Sequence, residues 1–250
     1  MSRSDRAFDL RDDVDRMAQR FEKAAAATSG DFSGKDATGA VTVTATAEGR
    51  LKDVRVSADW RSDLEPAVLG AAVLDAFGAS GTARLQEWGG ALADDLDKEA
   101  PQLRPLPSVS SSLGARLGEM AQVGQSPEET RATLEAMVEL LREIRGSIAE
   151  AEQDLDLLQR SAISGQSPSG HVEVRLTGLG DLKKVRYDES WLDRAHVVNI
   201  GRETVLAYEN AIAMVANRGA AAAVAATRLG ELQALTSDPV AFEEYLRARR

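Results

Sequence analysis

Five cations stand in two stretches that match one another: Lys52 and Arg55 in the first, Lys183, Lys184 and Arg186 in the second. The stretches are Gly39–Trp60 and Gly170–Trp191, and at a constant offset of 131 residues they align without a gap, with 10 of 22 positions identical. Unrelated sequences would agree at about one or two such positions, so the chain carries an internal repeat. Lysine and arginine grouped on one strand are suited to phosphate oxygens, and such contacts are salt-dependent and largely blind to base sequence. The same side chains also keep the outer face of a hairpin soluble and blunt its edge. Recurrence of Lys52 as Lys183 and of Arg55 as Arg186 favours a shared role, and common descent of the copies accounts for it as well. The second copy carries one cation more, because Asp53 aligns with Lys184.

Other chemistry finds little support. The only histidines, His171 and His196, have no metal-ligand spacing, and their counterparts in the first copy are Ala40 and Glu65. Gly178-Leu179-Gly180 lacks the spacing and strand–helix context of a phosphate loop, and no serine sits in a nucleophile elbow. The chain has no cysteine, which excludes disulfides, thiolate metal sites and cysteine nucleophiles. Asp12-Asp13-Asp15 and Asp94-Asp95-Asp97 read as solvated helix faces. Trp60 and Trp191 recur just past a strand, where tryptophan more often anchors the corner than stacks on bases. The expectation is a non-enzyme with no catalytic residues, no cofactor and no metal.

The elements that must position the cations follow from periodicity. Residues 5–27 predict a helix with Leu10, Val14, Met17, Phe21 and Ala24 on one stripe and Ser4 as its cap. Val41, Val43 and Ala45 alternate with threonines as a half-buried strand does. Glu48-Gly49 supplies the turn, and Leu51–Ser57 returns with Val54 and Val56 inward and Arg55 outward. A helix follows from Pro66, its buried face formed by Val68, Leu69, Ala72, Val73, Ala76 and Phe77, with Gly78 and Gly81 bending or interrupting it. Leu85, Trp88, Leu92 and Leu96 carry a further segment to about residue 98.

Pro101, Pro105, Pro107 and the serines 108–112 read as a linker, with a short helix at Leu113–Met120. Ser126-Pro127-Glu128-Glu129 then starts the longest helix. Its Leu134, Met137, Leu141, Ile144, Ile148, Ala151, Leu155 and Leu158 form a heptad seam that should be buried throughout. Strands at His171–Leu176 and Leu182–Tyr187 repeat the hairpin, and a helix runs from Val197 to a break at Asn217-Arg218-Gly219. An alanine-rich helix to about residue 235 and a short capped helix ending in Arg247, Arg249 and Arg250 close the chain. The domain reading is unit 1 at 1–100, linker at 101–125, unit 2 at 126–235 and a C-terminal helix or tail at 236–250.

At 250 residues, 43% apolar and 28% charged, the chain reads as globular rather than membrane-embedded. Its longest uninterrupted apolar run, Ala220–Ala226, is far short of a bilayer span. The charged N-terminal helix argues against a secretory signal, so a cytoplasmic protein without a membrane partner is expected. A net charge of −10, spread over both halves, lowers the expectation of nucleic-acid binding by bulk charge. Twenty-four arginines against 6 lysines point to a GC-rich bacterial genome.

The assembled pattern resembles the YbaB/EbfC family of bacterial nucleoid-associated proteins. It consists of a helix, Gly-x-Val-x-Val, a glycine turn, a basic strand (Leu51–Val56 and Leu182–Tyr187) and an alanine-rich helix (Ala71–Phe77 and Val205–Ala211). The resemblance covers about a hundred residues around each copy. It implies an α+β fold of two YbaB-like units, each a long helix, a small antiparallel sheet and a helix pair, forming an intrachain pseudo-dimer. It also implies sequence-tolerant binding of double-stranded DNA by Lys52, Arg55, Lys183, Lys184 and Arg186, at the nucleoid, as a monomeric pseudo-dimer. The alternative is a protein–protein adaptor, since some actinobacterial relatives are associated with type VII secretion loci and the net charge suits a protein partner.

Overall fold

Alternation, turn glycines and apolar helix faces combine into two three-stranded sheets under one core. The computed structural model describes residues 3–104, 127–218 and 245. The expected helix at Leu113–Met120, the Ser126 cap, the alanine-rich helix and the C-terminal capped helix lie outside these residues. The chain divides into two compact units, one of Met1–Arg104 with Ala162–Ala216, the other of Pro105–Ser161 with Asn217–Arg250.

The first unit holds both repeats. Helix α1 (Arg3–Ala27) leads to strands β1 (Phe32–Lys35), β2 (Val41–Ala45) and β3 (Leu51–Val56), then to a single turn α2 (Trp60–Asp63) and helix α3 (Leu69–Leu96). The second copy supplies β4 (Ala162–Gln166), β5 (Val172–Thr177), β6 (Leu182–Tyr187), the turn α5 (Glu189–Leu192) and α6 (Val197–Arg218); α4 is the long helix of the other unit. Both sheets are antiparallel meanders, β1-β2-β3 (sheet A) and β4-β5-β6 (sheet B). Val41, Val43 and Val54 pack inward from one, Val172, Val174 and Val185 from the other, and all belong to one apolar cluster with Trp60, Leu69, Val73, Leu192, Ile200 and Tyr208. The fold is α+β, with two similar units, each a three-stranded antiparallel sheet packed against long helices.

Contacts between the copies are reciprocal, as a two-fold requires. A Cβ on Gly70 of α3 would lie 3.0 Å from the Val185 carbonyl carbon of β6, and one on Gly201 of α6 would lie 3.1 Å from that of Val54 in β3. Gly201 is the counterpart of Gly70 and Val185 that of Val54, at the same offset of 131. Each helix therefore closes the open edge of the other copy's sheet, which removes two edges that would otherwise invite strand pairing. Arg61 donates to the carbonyl of Leu192, its own counterpart, as residues beside a two-fold axis do.

Several local expectations change. Residues 28–38 read from the sequence as a turn-rich run with room for a short irregular edge strand, and β1 lies there; the matching run before the second hairpin holds β4, so each unit has three strands. α3 runs unbroken through Gly78 and Gly81, whose alanine- and leucine-rich surroundings sustain the helix. Val68 is exposed because it ends a 3-10 turn (Pro66–Val68) ahead of α3. Ser4 lies inside α1 rather than capping it. On α1 only Ala24 of the stripe is buried, while Leu10, Val14, Met17 and Phe21 are 66, 60, 43 and 43% exposed. The packed side of α1 is the polar one: Arg11 and Gln19 donate to the carbonyls of Arg104 and Gln102, and Asp15 accepts from the Arg104 amide. The first residues of the expected linker are thus strapped along α1. By length and composition alone Pro66–Leu96 could cross a membrane, which the search for unbroken apolar runs missed, yet Leu69, Val73 and Ala76 of α3 are buried in the core.

In the other unit α4 spans Pro127–Arg160. The side chains of Leu134, Met137, Leu141 and Ile144 lie outside the described residues. Ser147 and Ala151 are buried and Leu158 half-buried, whereas Ile148 and Leu155 are exposed. Of the seam residues described, Ala151 and Leu158 are thus packed, while Ile148 and Leu155 give way to Ser147 and the half-buried Asp154 on the packed row.

Candidate nucleic-acid interface

The outer face of each sheet is set by the period of two. In sheet B, Val172, Val174 and Val185 point into the core, so Glu173, Arg175, Lys184 and Arg186 point away from it. Register pairs Glu173 with Arg186 and Arg175 with Lys184 across β5 and β6. The register then shifts between Arg175 and Leu176, which opposes Leu182, leaving Lys183 as the extra residue of a bulge. Sheet A repeats this geometry: Thr42 opposes Arg55, Thr44 opposes Asp53, and Lys52 is the bulged residue.

Identical backbones carry different electrostatics. In sheet A both repeated cations are engaged, Lys52 by Asp31 and Arg55 by Asp53, the latter at 2.8 Å. In sheet B no hydrogen bond or ion pair joins Lys183, Lys184 or Arg186 to another described residue. The one carboxylate on that face, Glu173, is held by Arg175 at 2.8 Å. Its pKa is lowered chiefly by that hydrogen bond, further by Ser164 and by the charges of Arg175 and Arg186, against the opposing effect of burial. Glu173 is thus an anion at neutral pH and neutralises Arg175, leaving three cations along one exposed strand.

The five expected residues fall on two separate faces, one per sheet. Each face borders a groove. The groove beside β6, of about 490 Å³, is lined by Lys183, Lys184, Arg186 and Tyr187 together with Gly70 and Leu74 of α3. The groove beside β3, about 630 Å³, is lined by Lys52, Asp53, Arg55, Val197, Val198 and Leu206. Arg175 escaped the reading of the repeat because its counterpart is Thr44; the alternation Val172-Glu173-Val174-Arg175 was the available signal.

The repeated tryptophans separate. Trp60 is fully buried with Arg61 above its ring at 4.6 Å, so it anchors the corner and stacks on nothing external. Trp191 is half-buried and stacks on His171, with centroids 5.3 Å apart and planes 10° from parallel. His171 Nδ1 lies 3.4 Å from Asp188, whose pKa is lowered first by Ser190 and then by the Trp191 amide. His196 Nδ1 accepts from the Val198 amide at the start of α6. Among the described residues no cluster of three metal-ligating side chains forms.

Compared with known families, residues 131–236 match the model of the YbaB/EbfC DNA-binding family. The match covers the second copy, so this region is similar to that family, and the first copy is matched by no family model. No curated protein and no solved structure matches the chain.

Proposed function

We propose that this protein binds double-stranded DNA with little sequence preference through the outer face of sheet B, as a single-chain pseudo-dimer at the bacterial nucleoid. The observation that carries the reading is the row Lys183, Lys184 and Arg186, unpaired among the described residues and set against Lys52 and Arg55 already occupied by Asp31 and Asp53. Lysine and arginine on a flat exposed strand contact phosphates rather than base edges, since a sheet face of this kind inserts no element into a groove. Local charge thus supports binding that the net charge of −10 opposes.

Fluorescence anisotropy on random duplex DNA tests it. Three phosphate contacts give a slope of about −2.7 in log affinity against log salt, or roughly 40-fold weaker binding between about 50 and 200 mM. Lys183→Ala/Lys184→Ala/Arg186→Ala removes the binding, Lys52→Ala/Arg55→Ala leaves most of it, and Arg55→Ala/Arg186→Ala lies between. No binding at about 50 mM salt, where phosphate contacts are strongest, removes the reading.

One observation favours the second reading, a protein adaptor. The groove beside β3 has its cations Lys52, Arg55 and Arg202 each paired with a carboxylate and presents Val197, Leu206 and Val198, the last 67% exposed, beside Glu209. Such a surface suits an uncharged apolar segment of a protein partner. An adaptor of this kind ignores DNA at every salt concentration and loses its partner on Val198→Asp.

A further inference from the structure

The geometry points to α1 as the contact surface for a second copy of this chain, paired helix to helix and antiparallel. Leu10, Val14, Met17 and Phe21 alternate four, three and four residues apart and are all substantially exposed. Large apolar side chains in an unbroken row on a surface helix mark a protein contact, and this spacing is that of a seam between two helices. The helix is held in place for the task. Its polar side is tied to residues 98–104, Phe21 packs on Trp88 of α3 with centroids 5.7 Å apart, and Lys23 pairs with Asp95. Little ordering entropy is therefore left to lose on docking.

The occupant follows from charge and register. An antiparallel copy that sets Val14 against the second copy's Met17 also sets Leu10 against Phe21, so every layer is filled by the same four residues used twice. The flanking positions then bring Asp13 beside the second copy's Arg20, once on each side, while Arg11 meets Ala18. A parallel copy would set Asp13 against Ala18 and Arg20 against Ala25, and no charges would pair. The Asp13 side chain is 76% exposed and meets only Arg16 among the described residues, at 3.5 Å. Arg20 is half-buried: one Nη donates to the Lys98 carbonyl at 3.5 Å and its Nε is buried without an acceptor among the described residues, so the pair with Asp13 uses the other Nη. The sheet-to-sheet interface is already satisfied inside one chain, so this contact is a different one and joins two pseudo-dimers. It stands independently of DNA binding.

Sedimentation equilibrium of the full chain without nucleic acid, over about 1 to 200 µM, reads it directly. The expected result is a mass that climbs from one chain toward two. Val14→Asp abolishes the climb. Asp13→Arg turns two attractive pairs into repulsive ones and weakens association roughly tenfold, and Asp13→Arg/Arg20→Asp restores it to within about threefold. An unchanged thermal midpoint shows that each variant is folded. Single-chain mass at every concentration overturns the proposal and assigns the stripe to another protein or to a further segment of the same chain. A double swap as weak as the single one overturns the antiparallel pairing.

Discussion

Gly70→Ala and Gly201→Ala set two effects of opposite sign against each other. In a helix, glycine to alanine stabilises by at most about 1 kcal/mol through the conformational freedom it removes. At these two positions the new Cβ would lie 3.0 and 3.1 Å from the carbonyl carbons of Val185 and Val54, and closer still to their oxygens. Both sides of the clash are backbone, so relief requires helix and strand to part. Overpacking of that kind costs about 1–3 kcal/mol, here toward the upper end, which leaves each variant destabilised by about 1–2 kcal/mol. For a unit of this size that lowers the thermal midpoint by roughly 3–6 °C. Gly78→Ala in the same α3 meets nothing within 4 Å, and its counterpart in the second copy is the exposed Glu209, so it should raise the midpoint by about 2–3 °C. Differential scanning calorimetry of the three variants gives the signs, and hydrogen exchange at the β3 and β6 amides locates the opening. If Gly70→Ala and Gly78→Ala both stabilise, the helices do not seal the opposite sheets as described. If Gly70→Ala and Gly201→Ala differ in sign, the reciprocity of the copies fails.

Trp60→Ala should cost about 3–5 kcal/mol in urea unfolding, because it empties a fully buried site, and Trp191→Ala clearly less because that ring is half-buried; equal losses would refute the division of roles. Asp36 and Glu203 brace the first turn of each copy. Burial pushes Asp36 up but donors from Thr38 and Val41 outweigh it, and Glu203 is lowered first by the Ser169 hydroxyl. Since both folded pKa values lie below the unfolded ones, their stabilisation is present above about pH 4.3 and lost as pH falls through the lowered values. Asp36→Asn/Glu203→Gln should flatten the fall in melting temperature between about pH 5 and 3, and an unchanged slope would show these carboxylates contribute nothing. Asp53→Lys frees Arg55 and copies Lys184 into sheet A, so the salt slope of DNA binding should steepen by roughly two contacts, about −1.8; an unaltered slope would deny sheet A any access to DNA.

The hairpins were legible because β2 and β5 follow a period of two and lead into turns with Gly49 and Gly180, from which β3 and β6 return, a signal written in a few adjacent residues. β1 was legible only as room for a short edge strand within the turn-rich run 28–38, and β4 not at all, since Phe32-Ser33-Gly34-Lys35 is too short and too polar to show alternation; both are strands because β2 and β5 offer them an open edge. The five cations were found by repetition, but their division into engaged and free was hidden. Asp31 is 21 residues from Lys52 and comes to it only through the sheet, and Arg175 had no counterpart to draw notice. The stripe of α1 was legible as a stripe, but its exposure was not, because spacing identifies which residues share a face and says nothing of what covers it.

A duplicated unit whose halves differ in charge raises the question of what holds the less cationic copy in place. The reciprocal edge contacts supply an answer. α3 closes β6, the strand that carries Lys183, Lys184 and Arg186, and it can do so only because Gly70 brings its backbone against Val185. Removing the first copy would strip that edge and leave the cationic strand unbacked, whatever the chemistry of sheet A. Asp31 and Asp53 can therefore neutralise Lys52 and Arg55 without loss to the fold, whereas α3 and its glycine cannot be given up. In a dimer of identical chains every surface substitution appears twice; joining the halves on one chain releases that constraint, so one face can remain open to phosphate while its counterpart turns toward protein. The free row on sheet B and the paired, valine-lined groove beside β3 are the two outcomes expected of such a release.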